Sequence, residues 1–231
     1  MIRIAEIFES IQGEGGRAGV PSVFVRTSGC NLRCLWCDTP YASWNPEGDR
    51  RRWEAIRDEV LACESHDVVL TGGEPMLVAD LIPLTDSLRE AGRTITIETA
   101  GTVLPPGYAE RPPACDLMSI SPKRANSTPD GDWRERHESR RDAPEVIAEL
   151  IARYAYQFKF VVDSPDDMDD VEGYLAAWPQ LDRSRVFLMP QATDPGTLQT
   201  KTDWLRPLAE SRGLKVSPRI HVQRWGNRRG V

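Results

Sequence analysis

Ser28-Gly29-Cys30-Asn31-Leu32-Arg33-Cys34-Leu35-Trp36-Cys37-Asp38-Thr39 places three thiols at C-x₃-C-x₂-C spacing within eight residues. Thiols this close do not form a relaxed disulfide framework, and the odd count leaves one unpaired under any pairing. Thiolates at such short spacing usually hold a metal or an iron–sulfur cluster. Structural zinc takes four closed ligands, commonly from paired C-x₂-C knuckles or Cys/His sets. Here no second knuckle exists, and His66, His137 and His221 stand at unrelated spacings. Three ligands suit a four-iron, four-sulfur cluster with one iron left open. The competing reading is three ordinary buried cysteines, since free Cys is among the most buried residue types. Asn31, Arg33 and Asp38, interleaved with the thiols, argue against a core segment.

Outward from this loop the chain alternates. On its N-terminal side, residues 2–7 alternate apolar and polar like a strand, and 23–26 read as a short buried strand leading into the cysteines. Between them Ser10-Ile11-Gln12-Gly13-Glu14-Gly15-Gly16 is a glycine-rich turn without the spacing or the lysine of a phosphate loop. Residues 40–52, with Pro40, Asn45, Pro46 and Gly48, read as loop. Beyond them the pattern predicts helices over 53–64, 79–91, 143–156, 166–178 and 200–212, and strands over 68–71, 94–98, 117–120, 158–162 and 186–189. Strands separated by helical segments indicate a parallel sheet of right-handed crossover units. Counting from Val23 gives six such strands, two short of a closed eight-stranded barrel. The fold class is therefore α/β, an incomplete parallel (βα)6 barrel, in a single domain over residues 1–231. Residues 123–142 read as one long surface excursion.

Composition narrows the setting. A chain of 231 residues, 40% hydrophobic and 28% charged, is long enough for a substantial core and ordinary for a globular protein. No apolar run approaches a membrane span, and the N-terminus shows no secretory signal. A net charge of −6 offers no footprint for nucleic acid. Arg50-Arg51-Arg52 is a short basic cluster near acids and reads as solvated surface. Five Cys without an export signal imply a reducing, cytoplasmic location, with Cys63 and Cys115 structural.

In parallel α/β folds ligands gather at the carboxyl ends of the strands. The first barrel strand ends at the cysteine loop and the second at Thr71-Gly72-Gly73-Glu74-Pro75. There two glycines allow close backbone approach to a ligand, and carbonyls with Glu74 can hold a cationic amine. Alone, the same residues could be a turn before a Pro-started helix. The third strand ends in Glu98-Thr99-Ala100-Gly101-Thr102, where Glu98 could bind a ribose or serve as a cap or ion-pair partner. The fourth runs into Ser121-Pro122-Lys123, and the sixth into Pro190-Gln191-Ala192-Thr193-Asp194. Polar groups bunched at consecutive strand ends are expected of a site.

The cysteine spacing with Trp36 before the last Cys resembles the cluster loop of the radical S-adenosylmethionine enzymes, and Gly72-Gly73-Glu74-Pro75 resembles the motif with which they hold the cofactor's amino group. Over nearly the whole chain the resemblance is closer to one member family, the 7-carboxy-7-deazaguanine synthases of the queuosine pathway. It rests on the stretches 7–15, 24–32, 37–39, 98–101, 121–123 and 225–231. Some members carry an insertion between the first two cysteines, where this chain keeps a plain three-residue gap, so the loops over the site and the reductant's docking face are expected to differ.

That resemblance implies ring contraction of 6-carboxy-5,6,7,8-tetrahydropterin to 7-carboxy-7-deazaguanine with loss of ammonia. It implies a 4Fe-4S cluster on Cys30, Cys34 and Cys37, S-adenosyl-L-methionine as cofactor, and Mg²⁺ on Thr39. Contacts to S-adenosylmethionine are implied for Trp36, Cys37, Asp38, Gly73, Glu74 and Glu98, for Ser121, Pro122 and Lys123, and for Gln191, Ala192, Thr193 and Asp194. For the substrate it implies Ile11, Gln12, Gly13, Arg26, Thr71 and the terminal carboxylate of Val231. Arg26 suits the substrate carboxylate because a guanidinium offers a bidentate fork. Thr39 could equally cap a turn, and Trp225 could pack the last segment on the barrel. The implied partners are the small-molecule pterin and a flavodoxin- or ferredoxin-type reductant, with no nucleic acid and no membrane, in a homodimer. Two rival readings share features with this one. A glycyl-radical activating enzyme has the same cysteine spacing but no need of the Gln12 and Arg26 pair, and a non-enzymatic iron–sulfur or zinc module calls for a fourth ligand.

Overall fold

Apolar residues at every second position sort each central strand into an outward row and an inward row. In the computed structural model, which describes residues 1–231, the outward row is the core. Val23, Val25, Val68, Leu70, Ile95, Ile97, Phe158, Phe160 and Leu188 join helix residues such as Val60, Leu84, Leu150 and Val171 in one cluster of 35 buried side chains. The inward row is mixed: Phe24, Arg26, Thr71, Glu98, Ser119, Lys159 and Met189 face a cavity. Register fixes this division, with Arg26 opposite Thr71, Glu98 opposite Ser119 and Lys159 opposite Phe187.

The elements run β1 (Ile2–Ile11), β2 (Pro21–Thr27), β3 (Asp49–Arg51), α1 (Trp53–Leu61), β4 (Asp67–Gly72), α2 (Leu81–Glu90), β5 (Thr94–Thr99) and β6 (Leu117–Ile120). They continue with α3 (Arg134–Glu138), α4 (Pro144–Arg153), β7 (Tyr156–Val162), α5 (Asp167–Ala177), β8 (Val186–Pro190), α6 (Pro195–Glu210), β9 (Lys215–Val216) and α7 (Ile220–Trp225). One nine-stranded sheet has the order β3-β1-β2-β4-β5-β6-β7-β8-β9. From β2 through β8 the pairs are parallel, which gives the six expected barrel strands, and a two-residue β9 adds a parallel seventh. β1 and β3 are antiparallel additions outside β2. The barrel is therefore incomplete, with β3 and β9 as open edges. No helix is long and apolar enough to cross a membrane.

Between β5 and β6 the sequence reading places no helix and none forms, because Pro105, Pro106, Pro112 and Pro113 punctuate that connection. Where the structure departs from the sequence reading, the reasons are local. Helix α4 stops at Arg153 rather than 156, since Tyr156 already pairs with Met118 as strand. Helix α6 begins at Pro195 rather than 200, with Pro at its first position and Asp194 accepting the Thr197 N–H at 2.9 Å. β3, β9, α3 and α7 are too short to show a periodicity. Residues 123–142 are not a free excursion. They pack on the cysteine loop, where Ser127 O accepts the Leu35 N–H at 2.8 Å and Asn126 O the Trp36 Nε1–H at 2.9 Å.

Candidate active site

Cys30, Cys34 and Cys37 carry free thiols and line one cavity of about 450 Å³ at the carboxyl ends of the strands. Nowhere do three His, Cys, Asp or Glu side chains converge closely enough for a single ion. Three thiols around a shared space instead suit the corners of a cluster. Burial pushes the thiols of Cys30 and Cys34 up to about 12, so thiolates there call for a strongly bound cationic centre to stay ionised. Donors to sulfur are already in place. The Leu32 N–H lies 3.4 Å from Cys30 Sγ, and the Ser43 hydroxyl 3.1 Å from Cys37 Sγ. The residues present fit the cluster that the spacing implies.

Gly72 and Gly73 pack against the cysteine loop itself. A Cβ on Gly72 would overlap the Thr27 carbonyl, and one on Gly73 the carbonyls of Gly29 and Ala42. At φ 137° Gly72 also adopts backbone that other residues avoid. The close approach expected of these glycines is thus to the cluster loop, reinforced by Glu74 N–H donating to Gly29 O at 2.9 Å. The Gly73 carbonyl takes no protein donor, and Gly73 lines the cavity. Glu74 lies behind the cavity wall. Its carboxylate is buried away from the cavity and accepts from Thr99 Oγ1 at 2.8 Å, Ala100 N at 2.8 Å and Met76 N at 3.1 Å. With both oxygens engaged, it ties the end of β4 to the end of β5.

Across the cavity a chain of charges spans the barrel. Lys159 on β7, only 3% exposed, donates to Glu14 at 2.7 Å and to Glu98 at 3.0 Å. Gln12 donates to Glu98 at 3.3 Å, and Gly13 O accepts the Ile220 N–H at 3.0 Å. Arg219 lies 3.4 Å from Glu14, pairs with Asp38 beside the last cysteine, and donates to Ala192 O at 2.5 Å. Burial works against the Glu14 charge, yet the Lys159 and Arg219 cations hold its carboxyl well below the usual carboxylate range. Burial also opposes the Lys159 charge, and its two carboxylates outweigh this and raise it above the ordinary lysine value. His221, 3.8 Å from Glu14, is pushed below its ordinary value by burial despite that neighbour, so it is a neutral contact at pH 7 rather than an ion pair. Through these contacts the loop after β1 reaches over to β7 and the segment after β9, bridging the open side of the barrel.

The chain end completes the wall. Asn227, Arg228, Arg229, Gly230 and Val231 line the cavity, and Trp225 does not. Trp225 is 38% exposed beneath Arg224 and lies outside the cavity. Arg229 meets Glu6 at 3.2 Å, and Glu6 meets Arg26 at 2.6 Å.

Of the remaining expected residues, the cavity gathers Ile11, Gln12, Gly13, Arg26, Trp36, Asp38, Thr39, Thr71, Glu98, Ser121, Lys123, Gln191 and Val231. The Thr39 side chain makes no capping hydrogen bond, and its hydroxyl has only Cys37 Sγ, 4.0 Å away, near it. Pro122 and Ala192 lie behind the wall and Thr193 is exposed. Asp194 is the α6 cap, outside the cavity, since its carboxylate already serves the Thr197 N–H. Glu14, Lys159, Arg219, His221, Tyr41 and Ser43 line the site and were not signalled as site residues by the sequence. The inward parity of Lys159 between Phe158 and Phe160 was the available clue.

Comparison with known proteins adds independent findings. The description of the radical SAM superfamily matches residues 24–163. The chain is 44% identical to a 7-carboxy-7-deazaguanine synthase of Rhodopirellula baltica, over 99% of this chain and 88% of the relative. It is 42% identical to the protein of the same name from Halobacterium salinarum, over 97% and 90%. In structure it is similar to QueE from Escherichia coli, with a TM-score of 0.65 and 24% identity over 94% of this chain and 92% of that one, a likeness of fold.

Proposed function

Because the chain belongs to the radical SAM superfamily and, within it, to the 7-carboxy-7-deazaguanine synthases, we propose that it contracts 6-carboxy-5,6,7,8-tetrahydropterin to 7-carboxy-7-deazaguanine with release of ammonia, in queuosine or 7-deazapurine biosynthesis. One observation of position carries the reading. Three free thiols, the Gly72-Gly73 strand end, the loop at Gln12 and the chain end all line a single cavity.

In this reading Cys30, Cys34 and Cys37 hold the 4Fe-4S cluster. When bound, the cluster and S-adenosylmethionine supply one-electron reductive cleavage and, through it, hydrogen abstraction from carbon 6 of the pterin. The chain's own residues bind, orient and exclude water. The free Gly73 carbonyl accepts from the cofactor's amino group, and Glu74 fixes that carbonyl from behind. Trp36, Asp38, Glu98, Ser121, Lys123 and Gln191 line the rest of the cofactor's berth. Arg26 engages Glu6 through Nε only, which leaves its Nη edge for the substrate carboxylate. Gln12, the Gly13 backbone, Ile11 and Thr71 take the pterin ring, and the Val231 carboxylate accepts from its amino-pyrimidine edge. Thr39 offers a hydroxyl oxygen to Mg²⁺, a hard cation that accepts one protein oxygen beside substrate and water oxygens. The idle hydroxyl of Thr39 supports that role over the cap. Lys159, held between Glu14 and Glu98, fixes the floor on which the pterin lies.

Family membership supports a cytoplasmic homodimer served by a flavodoxin- or ferredoxin-type donor. Neither rival is favoured by an observation: relatives matched along nearly the whole chain carry the synthase name. The test is anaerobic reconstitution, iron and sulfide counting, and incubation with the carboxylated pterin, S-adenosylmethionine and a reductant. About four iron and four sulfide per chain, with a deazaguanine product by mass and released ammonia, are expected. A colourless zinc protein, or a loaded enzyme that leaves the pterin unchanged, would overturn the reading.

A further inference from the structure

Glu6 stands between two guanidiniums that come from opposite ends of the chain. Its Oε1 accepts from Arg26 Nε at 2.6 Å and from the Tyr41 hydroxyl at 2.8 Å. Its Oε2 accepts from Arg229 Nε at 3.2 Å. Arg229 also donates Nη1 to Glu47 at 2.9 Å and Nη2 to the Ala5 carbonyl at 3.0 Å, and its guanidinium lies 4.1 Å over the Tyr41 ring. Each of the three guanidinium nitrogens donates one bond, and the stack needs a planar group, so lysine would not reproduce the arrangement. Two of its acceptors belong to β1, and the Glu6 side chain is only 12% exposed. This is a built socket rather than a chance surface pair.

We propose that Arg229 is a positioning residue which, by docking the tail on Glu6, makes Arg26 competent to take the substrate's carboxylate. The inference rests on the reading of Arg26 given above. With the tail away, Arg26 and Glu6 form a neutral pair, and the cavity mouth offers an incoming carboxylate no net attraction. With the tail docked, one carboxylate serves two cations, so the outward Nη edge of Arg26 keeps uncompensated positive charge. Tyr41 adds a hydrogen bond without adding charge, because burial and Glu6 keep its hydroxyl protonated. Glu47, the other carboxylate on Arg229, is 56% exposed and screened by water. By linkage the relation is reciprocal: a carboxylate on Arg26 must tighten the tail by the same factor by which the docked tail tightens the carboxylate.

The test is a double-mutant cycle on full-length, anaerobically reconstituted protein, using equilibrium binding of the carboxylated pterin. Hydrogen exchange of the C-terminal peptide, read without substrate, reports tail docking. Arg229→Gln should speed exchange of the tail and weaken pterin binding about tenfold or more, the scale for losing charge-assisted contacts. Arg229→Lys should fall between it and wild type. Glu47→Gln should change binding less than about threefold, as for an exposed pair. In an Arg26→Gln background, Arg229→Gln should lose the share of its effect on binding that acts through Arg26, while still freeing the tail and keeping the share owed to the displaced Val231 carboxylate. Factors that multiply independently in the double variant would overturn the inference while leaving the functional reading in place. A wild type that does not bind the pterin would remove both.

Discussion

Replacing Lys159 by Met removes the one ammonium between Glu14 and Glu98 while keeping the length of the side chain. Lys159 is 3% exposed, with carboxylates at 2.7 and 3.0 Å. Breaking a buried pair by removing one partner costs about 3–5 kcal/mol, because the other charge remains. Glu14 retains Arg219 at 3.4 Å, so the lower end, about 3 kcal/mol, applies. For 231 residues the unfolding entropy is roughly 0.5 kcal/mol/K, and the melting temperature should fall by about 6 °C. The pH dependence gives a second signature. In the native protein the Glu14 carboxyl is depressed, so its contribution is present above the unfolded carboxylate value near 4.3 and is lost as pH falls below it. Lys159 is raised, so its contribution is present below the unfolded lysine value near 10.4 and is lost only as pH rises past it. The Glu14–Lys159 pair is therefore charged, and its contribution flat, from about pH 5 to 10. His221, depressed by burial, lowers the stability of wild type and variant both as pH falls below its unfolded value of about 6.5. In the variant, Glu14 loses the first of the charges that offset its burial, its carboxyl rises, and the stability deficit shrinks as pH is lowered from 8 to 5. Scanning fluorimetry of both proteins in the same loaded state across that range reads the effect. A melting temperature within about 1 °C of wild type, or a deficit that does not change with pH, would refute the argument that this network holds the loop after β1.

Three further outcomes are expected. Cys30→Ala, Cys34→Ala and Cys37→Ala should each abolish the cluster's visible absorbance, whereas Cys63→Ala and Cys115→Ala should keep wild-type iron content, since both lie outside the cavity; loss of iron in either control would break the three-cysteine assignment. Gly72→Ala should cost about 2 kcal/mol or more and lower iron loading, because φ 137° and the Thr27 carbonyl both oppose a Cβ there; iron counting and thermal unfolding check both. Added Mg²⁺ should raise turnover in wild type and much less in Thr39→Val, with cluster content equal in both; equal stimulation would leave Thr39 without a role in cation binding.

Legibility differed between the parts of the molecule for physical reasons. The six barrel strands were readable because each is a short apolar run between helical periods, and the cysteine loop because its chemistry is local in sequence. Local signals could not say what a strand-end acid touches. Glu74 reads equally well as a cofactor ligand and as the tie between β4 and β5 that it is. Asp194 sits at the right strand end, and only the position of Pro195 shows that it caps a helix. Lys159 was hidden in an apolar run, and its partner Glu14 lies 145 residues away. Alternation between Phe158 and Phe160 puts Lys159 on the opposite face from them, and only the packing of those two in the outer core shows that face to be the cavity's. Arg229 and Glu6 are further apart still, 223 residues, so the tail's docking could not be inferred from either segment alone.

On the proposed function, one cavity would hold the cofactor and the pterin close enough for hydrogen from carbon 6 of the substrate to reach the cofactor. The most direct measurement uses substrate deuterated at carbon 6 and follows the label by mass spectrometry in both product and recovered S-adenosylmethionine. Deuterium should appear in the recovered cofactor, in step with formation of 7-carboxy-7-deazaguanine and dependent on Cys30, Cys34 and Cys37. Product formed with the cofactor unlabelled would contradict the account.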